Sequence, residues 1–227
     1  MIRTILFDLD GTLAETEPLH YAAFAETLRP DGVELSREVY FSRLIGLNDR
    51  DCFETVLKEN GKDASGAHID TLIARKAVSY QQIIRHRDVM YPGAADFVRA
   101  CAMRFPLMVV TGTLREEAEM ILRRAGIRDS FVDIVAAEDV ERGKPEPDGF
   151  IAALGRLGFL LRQRDAIAPG EALVIEDTAA GIEAARRAGM RILGLTTTAT
   201  EADLAGADLI RTSLRDTDLD DILRRLA

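Results

Sequence analysis

The chain has 227 residues, 47% of them hydrophobic and 30% charged, with no Trp and a net charge of −9. That is enough for one core domain plus an insertion, and the acidic balance speaks against a general nucleic-acid binder, which needs a basic face. No apolar run approaches the roughly 20 residues of a membrane span.

Cys52 and Cys101 lie in different segments and form no metal-ligand spacing, which points to a reducing compartment. The chain enters its first strand at once, leaving no room for a signal peptide, so a cytoplasmic protein is expected. No membrane or nucleic-acid partner is expected, and oligomeric state is taken as monomer or weak homodimer.

The run Ile5-Leu6-Phe7 reads as a strand buried on both faces. It ends in Asp8 and Asp10, followed at once by Gly11, which permits the positive φ of a sharp turn. Two carboxylates this close repel, and burial worsens that unless a cation or a reaction needs them. An oxygen-rich site suits Mg²⁺, and a carboxylate can itself attack phosphorus. The plainer reading is that the two acids end the strand and cap the next helix.

Beyond Thr12 the period changes. Leu19, Ala22, Ala23, Phe24 and Leu28 follow helical spacing from Glu17 to about Leu28. Helical signals dominate to about Arg87, with breaks at Pro30-Asp31-Gly32 and Asn60-Gly61-Lys62, until Tyr91-Pro92-Gly93 punctuates the chain. Residues 15–88 therefore read as an all-helical cap inserted into a core made of residues 1–14 and 89–227. In the core, strands at Leu107–Val110, Ile134–Val135, Leu173–Ile175 and Ile192–Leu195, with a last edge strand near Asp208–Ile210, alternate with helices at 116–125, 149–157 and 179–188. This is the pattern of an α/β fold, a doubly wound, Rossmann-like parallel sheet.

Ligands bind such sheets at the carboxyl ends of the strands, at the switch point. Polar groups should therefore stand there: Asp8 and Asp10, then Thr111-Gly112-Thr113, then Glu176-Asp177. Between the last two, prolines stiffen Gly143-Lys144-Pro145-Glu146-Pro147-Asp148 and fix the entry point of Lys144. Taken singly, Thr111 could merely cap a helix, Lys144 could be solvated, and the acidic pair could serve as a helix N-cap. Arg142 keeps the solvated reading.

Asp8-Leu9-Asp10-Gly11-Thr12 resembles the first motif of the haloacid dehalogenase superfamily, mostly phosphatases and phosphotransferases. Residues 143–148 and Asp177-Thr178-Ala179-Ala180-Gly181-Ile182 look like its phosphoglycolate-phosphatase and beta-phosphoglucomutase branch, as does the placement of a helical cap. The resemblance spans about residues 2–198. It implies Asp8 as nucleophile and Asp10 as acid and base. Mg²⁺ would sit on the Asp8 carboxylate, the Asp10 backbone carbonyl and Asp177, with Glu176 binding through a water or only orienting its neighbours. Thr111 and Lys144, with Gly112 beside them, would bind the transferring phosphoryl group. Asp10 argues against dehalogenation, which needs no acid for an alcohol.

In the cap, Thr16, His20 and Lys76 sit in settings similar to those that place a sugar phosphate in beta-phosphoglucomutase. Arg50 is a fourth candidate, although Asn48-Asp49-Arg50 shifts the expected arginine by one place. An exposed helix residue is an equal reading for each, and His20 opposite Phe24 could be surface. The expected function is a Mg²⁺-dependent phosphatase of a small phosphorylated metabolite, a sugar phosphate or phosphoglycolate-like compound. The alternatives are a beta-phosphoglucomutase-type mutase and a non-catalytic binding module. Thr113-Leu114-Arg115 lacks the Ser-Lys-Asn-like run expected of that mutase.

Overall fold

The computed structural model describes residues 1–85, 87–161 and 166–226. Its core sheet has six strands: β1 (Thr4–Phe7), β2 (Leu107–Val110), β3 (Asp133–Val135), β4 (Ala172–Glu176), β5 (Arg191–Leu195) and β6 (Leu209–Arg211). All pairings are parallel, in the order β3-β2-β1-β4-β5-β6. The central strands are buried throughout, which is why they read as continuous apolar runs. Phe7 shows what that burial contributes: its ring meets Phe97 and Phe131 edge-on at 6.4 and 5.9 Å.

The order reverses at β1. The chain first builds outward through β2 and β3, then returns to place β4 on the other side of β1. Phe7 is thus in register with both Val109 and Ile175. The residues just after these three positions come together at one edge of the sheet, the switch point where ligands bind.

Helices α1 (Glu17–Leu28), α2 (Arg37–Val39), α3 (Asp49–Glu59) and α4 (Gly66–Ile84) fill the stretch between β1 and α5 (Ala94–Ala102). α2 runs on into a π-helical turn, Tyr40–Leu44, and Gly32 and Gly61 break the helices where expected. This layer has its own core of Phe24, Leu28, Tyr40, Phe53, Leu57 and Leu72. The chain enters and leaves it side by side: Glu15 N–H donates to Val89 O at 2.7 Å and Tyr91 N–H to Leu13 O at 2.9 Å.

Four further helices complete the core: α6 (Arg115–Arg124), α7 (Asp148–Leu160), α8 (Ala179–Arg187) and α9 (Leu219–Arg225). α7 runs three residues past its expected end. α9 is a helix the sequence reading passed over: two turns with only Leu219 and Ile222 buried give too little periodicity. Among the described residues no helix is long and apolar enough to cross a membrane.

Candidate active site

Asp8 leaves β1 with its backbone N–H on Ile175 O at 3.0 Å, the last rung of the β1–β4 ladder. The chain then turns at Gly11, whose φ is +84°; a Cβ there would lie 2.1 Å from Asp177 Oδ2. Only glycine lets the loop pass this close to the second acidic strand end. Thr12 Oγ1 donates to Asp177 Oδ1 at 2.7 Å, and the Thr198 hydroxyl donates to Oδ2.

Lys144 reaches in from the proline-bounded loop, where its peptide bond to Pro145 is cis. Its ammonium pairs with Asp8 Oδ1 and donates to Glu176 Oε1 at 2.6 Å. Burial opposes that charge, but Asp8 and Glu176 overcome it and hold Lys144 protonated, above its ordinary value. Glu176 Oε2 in turn accepts from the backbone N–H of Asp177 and of Thr178, each at 2.8 Å, and from Thr178 Oγ1 at 3.0 Å. Glu176 is therefore a positioning group for Lys144, with its oxygens already engaged. The helix-capping role belongs to Thr178, whose hydroxyl accepts from Gly181 N–H.

Burial pushes Asp8 up despite Lys144, with Glu176 and Asp177 adding to the push, and burial with Glu176 pushes Asp177 up likewise. Three acids thus share one lysine. Among the described residues no three His, Cys, Asp or Glu form a ready cage for a metal. Among the described residues one oxygen of Asp8 has no hydrogen-bond partner, and the oxygens of Asp177 meet only hydroxyl donors. Two such carboxylates in surplus negative charge are the donor set of a hard divalent cation that retains waters and phosphate as other ligands, so the residues fit Mg²⁺.

Asp10 is turned the other way. Its Oδ1 accepts from Thr16 Oγ1 at 2.6 Å and faces His20 Nε2 at 3.2 Å; its Oδ2 accepts from Thr113 Oγ1 at 2.6 Å and Thr111 Oγ1 at 3.1 Å. Burial works against ionisation, but these donors hold the carboxylate well below its usual range. Thr111 therefore spends its hydroxyl on Asp10 rather than projecting it free. Thr16 precedes α1 without capping it, because its hydroxyl is on Asp10.

His20 is buried, not on the surface, and stacks on Tyr80 with ring centroids 4.1 Å apart. Its Nδ1 lies 2.9 Å from Lys76 Nζ, which also donates to Asp49 Oδ1 at 2.7 Å. Burial and the Lys76 charge both lower the ring's pKa. The ring is therefore neutral: Nδ1 accepts from Lys76, Nε2–H donates to Asp10, and the contact is a hydrogen bond, not an ion pair. Lys76 is fully buried yet kept charged by Asp49 against the cost of burial.

A cleft lies between the strand ends and the helical layer. Asp8, Asp10, Gly112 and Lys144 line it from below; Glu17, His20, Phe24, Tyr40, Leu47 and Asp49 line it from above. Arg50 is not brought there: its guanidinium pairs with Asp70 on an exposed face. The reason is the cap of α3. Asn48 Oδ1 accepts from Asp51 N–H at 2.9 Å and starts the helix at Asp49. Successive helical residues are about 100° apart, so Asp49 faces inward and Arg50 does not.

Several site residues escaped the sequence reading. Thr113, beside Thr111 at the strand end, makes the shorter bond to Asp10. Thr198 sits in an ordinary run of threonines after β5 and reaches Asp177 because β5 neighbours β4 in the sheet. Glu17, Tyr40 and Asp49 carried no local signal. Glu17 Oε2 accepts from Tyr40 Oη at 2.7 Å, and burial, with Asp10 adding to it, pushes Glu17 up to about 8.

Comparison with known proteins agrees with this arrangement. Residues 2–189 match the family model of the haloacid dehalogenase-like hydrolases. The chain is 34% identical over 211 residues to validoxylamine A 7'-phosphate phosphatase of Streptomyces hygroscopicus subsp. limoneus, covering 92% of this chain and 93% of that one. It is 30% identical to a fructose-1-phosphate phosphatase of Escherichia coli K12, over 82% of this chain and 92% of that one. A crystal structure of CbbY from Rhodobacter sphaeroides, a mutant in complex with xylulose-(1,5)bisphosphate, superposes with a TM-score of 0.81 at 30% identity, covering 95% and 96% of the two chains. With the carboxylate at the end of the first strand, the lysine held against it and the acid of the fourth strand beside it, the chain belongs to the haloacid dehalogenase-like hydrolases, among the phosphoric monoester hydrolases of that family.

Proposed function

We propose that this chain is a Mg²⁺-dependent phosphatase of a small sugar phosphate, working through an aspartyl-phosphate on Asp8. The observation that carries the reading is the Asp8 carboxylate: it lines the cavity at a strand end, with one oxygen held by Lys144 and the other without a partner. Such an oxygen is placed to form a bond to phosphorus while the bond from phosphorus to the alcohol oxygen breaks. Lys144 fixes the nucleophile and offsets charge on the transferring group, which spreads over its equatorial oxygens. Asp10, ionised and held by four donors, is the base that takes a proton from the water attacking the aspartyl-phosphate. For the first half-reaction Asp10 takes up a proton, which a phosphate dianion bound beside it favours, and hands it to the leaving alcohol; the proton it then takes from the attacking water restores it, and Thr16, His20 and Thr113 fix its direction in both.

Mg²⁺ would be held by Asp8, Asp177 and the Asp10 backbone carbonyl, and when bound it supplies positive charge that stabilises the transferring phosphoryl group. The sugar-phosphate class is supported by the name of one relative, a fructose-1-phosphate phosphatase. Two free, buried cysteines accord with work in a reducing cytoplasm. The helical layer, residues 15–88 in this reading, is the lid that covers the intermediate.

The test is phosphate release from sugar phosphates, phosphoglycolate and nucleotides, with Mg²⁺ and with EDTA. Metal-dependent release from sugar monophosphates is the expected result. Glucose 6-phosphate formed from beta-glucose 1-phosphate without free phosphate would replace the phosphatase by a mutase.

A further inference from the structure

The cap end of the cavity carries an inference about the alcohol half of the substrate, and it rests on the phosphatase reading above. We infer that this end accepts a leaving group rich in hydroxyl or ammonium donors and rejects one that bears a second phosphate or a carboxylate.

The first observation is where the cations go. Arg50 is on Asp70, Arg43 is on Glu59, and both pairs are exposed. Arg115, which opens α6 just past Thr113, is taken by Asp139 at 2.6 Å, by Asp133 and by Ile134 O. Arg142 makes two bonds to Asp148, at 2.9 and 3.0 Å. Lys76 lies behind the wall, spent on Asp49 and His20. Among the described residues the only cation lining the cavity is Lys144, at the opposite end and already on Asp8 and Glu176.

The second observation is what faces the space instead. Asp49 is 9% exposed; its Oδ1 is on Lys76, while Oδ2 is buried and has no hydrogen-bond partner among the described residues. Glu17 is 7% exposed and its Oε2 is engaged by Tyr40; raised to about 8 by burial, it adds no positive charge to this end. A buried carboxylate oxygen left unpaired costs stability unless a donor meets it. Hydroxyls or an ammonium group are donors; a phosphate dianion or a carboxylate brings only acceptors and like charge. Phe24 and Leu47 between these acids suit the apolar face of a ring.

The experiment compares kcat/KM on matched pairs, using the full chain with Mg²⁺. Glucose 6-phosphate is set against glucose 1,6-bisphosphate and 6-phosphogluconate, fructose 1-phosphate against fructose 1,6-bisphosphate, and glucosamine 6-phosphate against glucose 6-phosphate. The bisphosphates and the carboxylate should fall about 100-fold or more below their partners, since like charges in a desolvated site are strongly rejected. Glucosamine 6-phosphate should equal or exceed glucose 6-phosphate. A bisphosphate used as well as its monophosphate, or better, overturns the inference and leaves the phosphatase standing. Hydrolysis of nothing in the panel overturns the phosphatase reading and this inference with it. Asp49→Asn, which deprives Lys76 of its counter-charge, should narrow the gap about tenfold; a variant that melts like wild type with the gap unchanged removes Asp49 as its cause.

Discussion

The two ends of the cavity are built on opposite principles. At the sheet end a surplus of negative charge is held in place: Asp8 and Glu176 share Lys144, and Asp177 takes two threonine hydroxyls, which leaves room for one more cation. At the cap end acids are buried with oxygens left over, on Asp49 and, one layer behind, on Glu117. The first is organised to hold a reacting group in one geometry, where positioning and electrostatics supply the rate. The second is incomplete by itself and is arranged to be satisfied by what binds. Chemistry and recognition therefore fail differently when each end is altered.

The sheet end should give the largest effects. Asp8→Asn removes the nucleophile but keeps its shape, so turnover should fall by about 10⁴-fold or more while the melting temperature holds or rises. Burst kinetics and a thermal scan check both halves, and a variant that turns over at the wild-type rate would falsify the assignment of Asp8. Lys144→Ala should lower kcat by about 10²–10³-fold. It also leaves Asp8, Glu176 and Asp177 without an internal cation, so added Mg²⁺ should raise its melting temperature more than it raises that of wild type. An equal Mg²⁺ shift in both proteins would mean that the three acids do not share one electrostatic site.

The same contrast explains what could be read from the residues alone. Strand-end groups were legible because a buried strand is a fixed address: an apolar run ends, and the next residue stands at the rim of the sheet. Asp8, Asp10, Thr111, Glu176 and Asp177 were found that way, and Lys144 by the prolines that bracket it. What the strand ends did not disclose is which partner each group selects. Thr198 and Thr12 reach Asp177 only because β5 lies beside β4 and the Gly11 turn passes close by. Cap residues have no such address. Their direction depends on where a helix starts, and one residue of phase exchanges Asp49 for Arg50. His20 has no burial signal of its own for the same reason: the helix α4 that covers it, with Tyr80 and Lys76, lies some 60 residues further along the chain.

Behind the cap end, Glu117 of α6 is fully buried, and both of its oxygens lack partners. Burial pushes it up to about 8 from an ordinary 4.5, with Lys76 pulling only partly the other way. A carboxyl raised in the folded state binds its proton there after the unfolded chain has lost it. Its contribution to stability is fully present below about pH 4.5 and is lost as pH rises to about 8. Glu117→Gln should therefore be more stable than wild type at pH 8, by about 1–3 kcal/mol, with the difference shrinking toward pH 5. Denaturant titrations across that range check the sign; a variant whose curve runs parallel to wild type would show that Glu117 has a partner or stays ionised in both states.

The smallest expected effect is at Arg50, and it bears most directly on how the cap end is read. Its side chain is about half exposed and pairs only with Asp70, itself 64% exposed. Surface pairs of this kind contribute about 0–1 kcal/mol. Arg50→Ala should therefore change stability by less than about 1 kcal/mol and leave kcat/KM within about twofold of wild type on any sugar monophosphate. Asp49→Asn, one residue earlier, should alter the ranking of substrates. If Arg50→Ala instead lost an order of magnitude in kcat/KM with KM carrying the change, the guanidinium would have to leave Asp70 and enter the cavity when substrate binds. The cap end would then be basic in the working enzyme, and the preference for donor-rich leaving groups would reverse.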